Sequence, residues 1–207
     1  MEVQAAVSKL KTGKAVVEVA AEILQAICAR MDSSGACWLT KVMQLCWETK
    51  TTPTRWHIAQ VRCIYKKGDP ADCDNYRPIS LVSVLYKVYA TILLNRLKSG
   101  GAESALWSTQ FGFRSGHSTE HALYIVRRRI EQALASRGGA LLMVALDWRK
   151  AFDSLAPHRL IEALQRFGIP DGMVQAVEGI YENRRFTVAE GELESTERPQ
   201  LAGISQG

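Results

Sequence analysis

A chain of 207 residues, 47% hydrophobic and 23% charged, is long enough to bury a core and too apolar to be intrinsically disordered. It carries 26 Lys plus Arg against 21 Asp plus Glu, a formal net charge of +5, which suits a polyanionic partner without requiring one. No apolar run approaches the ~20 residues of a membrane helix, so no membrane partner is expected.

The opening MEVQAAVSKLKTGKAVVEV has neither the hydrophobic block of an export signal nor the Arg-rich character of a presequence. Cys28, Cys37, Cys46, Cys63 and Cys73 contain no C-x-x-C pair and have no histidine at zinc-finger spacing. They are expected as reduced thiols of an intracellular protein, nuclear or cytoplasmic, with no disulfide-linked partner.

Along the chain, Val16, Val19, Ala20, Ile23 and Ile27 recur at helical spacing and predict a helix within 16–31. Asp32-Ser33-Ser34-Gly35 breaks it. A second helix follows with Trp38, Leu39, Val42, Leu45 and Cys46 on one face, ended by Thr51-Thr52-Pro53-Thr54. Ala59 to Tyr65 alternates as a strand, and KKGDPADCDN continues it as a polar loop. Leu81, Val84, Leu85, Val88 and Ile92 form the clearest helical stripe, closed by Gly100-Gly101.

Ser118 or Thr119 can cap a further helix that carries Ala122, Ile125, Val126, Ile130 and Ala133 inward. After Gly138-Gly139 the run ALLMVAL is continuously apolar and predicts a strand covered on both faces. Pro157 suits the first turn of a helix with Leu160, Ile161, Leu164 and Phe167 facing in and Gly168 beyond its end. Phe186 and Val188 then alternate with Arg185, Thr187 and Ala189, and Glu190-Gly191-Glu192 can return the chain as a hairpin. No internal repeat is present.

Two stretches carry chemistry. VALDWRKAFDSL, Val144 to Leu155, reads as a strand running into a polar turn, or as a metal-binding acid, Asp147, at the carboxyl end of a central strand. Arg55, His57, Arg62, Lys66, Lys67 and Arg77 are interleaved with Trp56, Tyr65 and Tyr76. Cations for phosphates and rings for bases make such a hairpin suited to a triphosphate or a nucleic-acid backbone. The competing reading is a solvated hairpin whose cations are offset by Asp69, Asp72 and Asp74. Arg127, Arg128 and Arg129, with Glu131 following, read as a solvated helix face. Gly13-Lys14 lacks the first glycine and the Ser/Thr of a phosphate loop, and Gly112 with Gly116 completes no dinucleotide fingerprint.

Four segments in order, YKKGDPADCDNYRPISL, QFGFRSGHST, LDWRKAFDSL and GISQG, resemble the reverse transcriptase domain of non-long-terminal-repeat retrotransposons. The lead-in LKTGKAVVEVAAEIL is also similar, though Val16-Val17-Glu18-Val19 replaces the family's Gly-Pro-Asp-Gly. The resemblance implies an α+β fold, the fingers and partial palm of a right-hand polymerase. It divides the chain into a helical lead-in (1–55), fingers (56–140) and partial palm (141–207), with an incomplete reverse transcriptase domain over 56–207.

It also implies RNA-directed DNA polymerase chemistry on an RNA template and DNA primer with deoxynucleoside triphosphates. The intact family uses two Mg²⁺ ions to activate the primer hydroxyl and stabilise the phosphoryl group in flight. Asp147 would be a metal ligand and catalytic; Lys66, Lys67 and Arg77 would grip the triphosphate. Phe152 would lie under the nucleotide's sugar. Gln206 and Gly207 would begin the segment lining that pocket, and Gln110 and Arg114 would touch the template.

The family's Tyr-x-Asp-Asp turn has no counterpart in these residues, so the chain is expected to stop before that turn and the thumb. At most one weak Mg²⁺ site and no polymerisation by the isolated chain are then expected. A non-catalytic nucleic-acid-binding remnant is the alternative.

Overall fold

A computed structural model describes residues 2–14, 18–29 and 34–204. The chain mixes α and β structure and divides into two compact units, Met1–Leu97 with Lys150–Gly207, and Lys98–Arg149.

The first unit is organised by a sheet. Strand β1 (Ile58–Tyr65) pairs antiparallel with β2 (Tyr76–Leu81) and parallel with β3 (Arg185–Glu190). The two short strands β4 (Leu193–Glu194) and β5 (Arg198–Pro199) pair antiparallel with β3. The registers differ along β1: residues 58–61 face β3, while 60–65 face β2. The β1–β2 hairpin therefore runs on past its pairing with β3, and Cys63, Ile64 and Tyr65 become exposed.

Helices α1 (Glu2–Ser8), α2 (Ala21–Cys28), α3 (Ser34–Thr49) and α4 (Val84–Ser99) share one core with Trp56 and Ala59. So do α7 (Pro157–Arg166) and α8 (Asp171–Tyr181), which pack against each other. The largest fully buried side chains are Tyr89, Leu39, Leu93, Val7 and Val88, and each is worth ~1.5–3 kcal/mol by transfer. Arg184 is buried between the rings of Tyr86 and Tyr181, 5.6 and 5.5 Å from their centroids. Burial, above all, pushes the Tyr181 hydroxyl up to about 12.

Most predicted helices form, with shifted faces. The first is seen as Ala21–Cys28; positions 16, 17 and 30–31 of its predicted span lie outside the described residues. In α3 the buried set is Ala36, Leu39, Met43 and Cys46, whereas Trp38 and Leu45 are each 60% exposed. The inward face is set by α1 and α2, which pack against this helix. Leu81 belongs to β2 rather than to α4. Pro157 stands in the first turn of α7 and Leu160, Ile161 and Leu164 pack on the core, but Phe167, just past the last turn, is half exposed. In β3 the buried residues are Thr187 and Ala189, and Val188 faces out. Helix α8, for which the sequence analysis predicts no element, supplies Val174, Val177 and Ile180 to the interior.

The second unit overturns two expectations. Helix α5 (Thr119–Ala135) starts at Ser118 with a capping box, its N–H donating to His121 Nδ1 at 3.2 Å. No residue of α5 is buried, and Ile125, Val126 and Ile130 are exposed. The run Ala140–Leu146 forms no strand, and Leu142, Val144 and Leu146 stand in solvent. A strand exists only as a member of a ladder, and among the described residues none pairs with this run. Its apolar character is that of a central strand without its cover.

Two glycines of α8 test the packing. At Gly179 a Cβ would collide with the backbone carbonyl oxygen of Lys50, so Gly179→Ala should lower stability by about 1–3 kcal/mol. At Gly172 the nearest atom is the Lys50 side-chain tip at 3.8 Å, and Gly172→Ala should instead raise stability by about 0.5 kcal/mol. Urea midpoints of both variants check the pair; equal effects contradict it.

Candidate functional site

The basic hairpin is braced at every step of its loop. Tyr65 and Tyr76 face each other across β1 and β2, ring to ring at 5.5 Å. Their hydroxyls donate to the carbonyls of Gly68 (2.5 Å) and Pro70 (3.0 Å). Asn75 Nδ2 donates to Asp69 O at 3.0 Å, and Lys66 N–H donates to Asn75 O at 2.8 Å. Asp69 and Asp72 accept the backbone N–H groups of Ala71 and Asp74, each at 2.9 Å. These are Asx turns, built from the residue types that favour them.

That arrangement gives each of the loop's acids a contact. Asp69 and Asp72 act on the backbone, and Asp74 pairs with Lys150 at 2.9 Å. Lys66, Lys67 and Arg77 are all exposed, and among the described residues no ion pair involves them. The hairpin thus presents three cations to solvent, Lys66 and Lys67 on the braced loop and Arg77 on β2, a cluster that phosphate oxygens can engage.

Lower on the sheet, Glu194 Oε1 accepts from Thr187 Oγ1 (2.6 Å) and Gln60 Nε2 (3.3 Å). These bonds, that of Thr187 first, hold its carboxyl below the usual range. Arg62 is turned to the Gly191 carbonyl at 3.3 Å.

Phe152 lies on α6 (Ala151–Ser154), a single turn that starts at Lys150, and its side chain is partly exposed. The chain returns to this turn near its end. Ile204 N–H donates to Phe152 O at 2.9 Å and Gly203 N–H to Leu155 O at 2.8 Å. Gly203 is required there twice over: its φ is +87°, and a Cβ would sit 3.1 Å from the Asp153 carbonyl oxygen. Residues 203 and 204 are thereby laid against the Phe152 turn. Gln206 and Gly207 lie outside the described residues.

The remaining sequence candidates belong to the second unit. Asp147 is exposed in the irregular segment before the turn at Arg149. Gln110 Nε2 donates to Gly112 O at 3.1 Å, and Arg114 Nη1 donates to Trp107 O at 2.9 Å, so both side chains brace their own loop. A divalent ion of the Mg²⁺ type needs about six oxygens, several from fixed carboxylates. Among the described residues no group of three or more His, Cys, Asp and Glu could hold a metal. The described residues therefore do not fit a two-ion centre.

The contacts that the sequence hid are Lys150 with Asp74 and Gly203 with α6. Lys150 and Asp74 stand 76 positions apart, and no local signal joins them. Gly203 opens the GISQG segment, but nothing in that segment points to α6.

Sequence comparison gives the family. The chain belongs to the reverse transcriptase (RNA-dependent DNA polymerase) family, whose sequence pattern matches residues 64–207. Its relatives are polymerases of non-long-terminal-repeat retrotransposons. The RNA-directed DNA polymerase from mobile element jockey of Drosophila melanogaster is 34% identical over 158 residues, 75% of this chain and 17% of that protein. The probable RNA-directed DNA polymerase from transposon BS of the same fly is 32% identical over 157 residues, again 75% and 17%. The Pol polyprotein of the type-1 retrotransposable element R2 of Popillia japonica is 30% identical over 161 residues, 75% of this chain and 21% of that protein. The chain thus carries part of a reverse transcriptase domain and spans about a fifth or less of these relatives' length.

Replacing Gly203 tests the return of the chain to α6. Gly203→Ala should cost about 1 kcal/mol or more locally and speed amide exchange at Ile204 about fivefold or more. Unchanged exchange at Ile204 would show that the contact does not form in solution.

Proposed function

We propose that the chain supplies the fingers and first part of the palm of a retroelement's RNA-directed DNA polymerase. Residues 1–55 are its helical lead-in, 56–140 its fingers and 141–207 the beginning of its palm. The observation that carries this reading is the braced hairpin with three unneutralised cations, in the same compact unit as the Phe152 turn and within the family match. Lys66, Lys67 and Arg77 take the triphosphate, since a fixed cationic loop meets phosphate oxygens without reordering cost. Phe152 takes the sugar face and selects deoxyribose by its bulk. Gln206 and Gly207 extend the strap beside it, and Gln110 and Arg114 meet the RNA template.

Asp147 is the first carboxylate of a divalent-ion centre completed in the polymerase by further acids. The 207 residues contain no adjacent Asp-Asp pair. One carboxylate cannot fix two ions, so these residues alone bind nucleic acid and nucleotide without joining them. No helix among the described residues is long and apolar enough to cross a membrane.

Primer extension by the purified chain on an RNA template, with Mg²⁺ or Mn²⁺, should give no templated product. Product that disappears with Asp147→Asn would contradict the account. Binding to single-stranded RNA should weaken steeply with salt, and Lys66→Ala with Lys67→Ala should flatten that dependence. Salt-independent binding, or none, would remove the hairpin's assigned role.

A further inference from the structure

An ion pair joins the turn that carries Phe152 to the loop beside the cations. Lys150 Nζ donates to Asp74 Oδ1 at 2.9 Å. Lys150 is the residue from which α6 starts, and its carbonyl accepts Ser154 N–H at 2.9 Å. Asp74 lies in the short turn Cys73–Asn75, and the next residue's carbonyl accepts Lys66 N–H. On the loop side one covalent step and one hydrogen bond lead from Asp74 to the backbone of Lys66, and on the other side Phe152 follows Lys150 by two residues within the turn that the Lys150 carbonyl closes.

The backbone at Lys150 makes this connection unusual. Its φ and ψ are 50° and 44°, left-handed for a side chain other than glycine, a conformation that Asn and Asp take at lower cost. A lysine stands there against backbone preference, and the contact it makes is the one with Asp74. Both partners are largely exposed, 56% and 64%, so the pair is too weak to fold the unit. It is strong enough to bias where a loop rests, and ionic strength screens it.

We propose that Lys150 and Asp74 form an electrostatic latch that holds the cationic loop beside the Phe152 turn. They are positioning residues for the groups that take the incoming nucleotide. The proposal rests on the nucleotide role given above to Lys66, Lys67, Arg77 and Phe152. An open latch lets the braced loop move relative to the Phe152 turn and loosens its contacts near Asp74; a closed one presents cations and aromatic turn together.

The test uses the 207-residue chain, with amide exchange at Lys66 and residues 71–75 read at low and high salt. Asp74→Asn and Lys150→Asn should each speed loop exchange about two- to fivefold, and salt should accelerate the wild-type loop alone. The double swap of Asp74→Lys with Lys150→Asp should return exchange to near the wild-type rate. Asn suits the backbone at position 150, so loss of protection in Lys150→Asn with α8 amides unchanged reports the latch and not misfolding. Unchanged loop exchange in both single variants, or no recovery in the swap, overturns the latch.

A second arm measures equilibrium binding of a deoxynucleoside triphosphate with Mg²⁺. Affinity falling in step with loop protection supports the positioning role. Loop exchange that responds while triphosphate affinity stays constant overturns that role. Loop exchange that responds in a chain that binds no triphosphate overturns the nucleotide reading beneath it, and leaves only a loop restraint.

Discussion

Parallel pairing of Ile58–Val61 with Arg185–Val188 is the constraint on which the first unit depends. It brings together residues more than a hundred positions apart, and the loop-closure entropy this costs must be recovered by burial. Ala59, Trp56, Tyr89, Val177 and Ile180 supply that burial around the joint. Arg184, at the start of β3, is seated between two tyrosine rings of α4 and α8. Once β1 is held along its first half, its second half projects as a hairpin paired, among the described residues, only to β2. The geometry of the cationic loop is therefore a consequence of where the β1–β3 ladder stops.

Within the hairpin, acids and cations have different work. Asp69 and Asp72 are absorbed by backbone N–H groups, which rigidifies the loop and leaves Lys66, Lys67 and Arg77 facing solvent. A composition count treats these charges as cancelling, but each of these carboxylates is held by a backbone amide hydrogen of its own turn. The second unit is the opposite case. Its apolar residues on α5 and in Ala140–Leu146 are exposed, and its polar side chains, Gln110 and Arg114, are spent on local carbonyls.

Local signals in the sequence were legible where the physics is local. Pro157 opens α7, Ser118 caps α5, and Gly101 and Gly168 adopt the left-handed conformation beyond helix ends. The hairpin could be placed by alternation and by its turn-forming loop. What could not be read is the direction in which each helix buries its face, as in α3 and α5, because that depends on neighbours and not on spacing. Helix α8 was legible in principle, since Met173, Val174, Val177 and Ile180 recur at helical intervals after Pro170. Ala140–Leu146 shows the limit most clearly: apolarity states that a strand wants cover on both faces, and cannot state that the cover is present. Family motifs drew attention to Phe152 and the cations as candidates, whereas the pair Lys150–Asp74 joins distant segments and needed the fold.

The joint between β1 and β3 can be tested directly by native-state amide exchange of both strands across a denaturant series. If the ladder unites the first unit, the amides of β1 and β3 will open with the same free energy and the same denaturant slope as global unfolding. Opening of β3 at lower free energy while the β1–β2 hairpin stays protected would contradict the account, since the cationic loop would then owe its place to something other than the sheet.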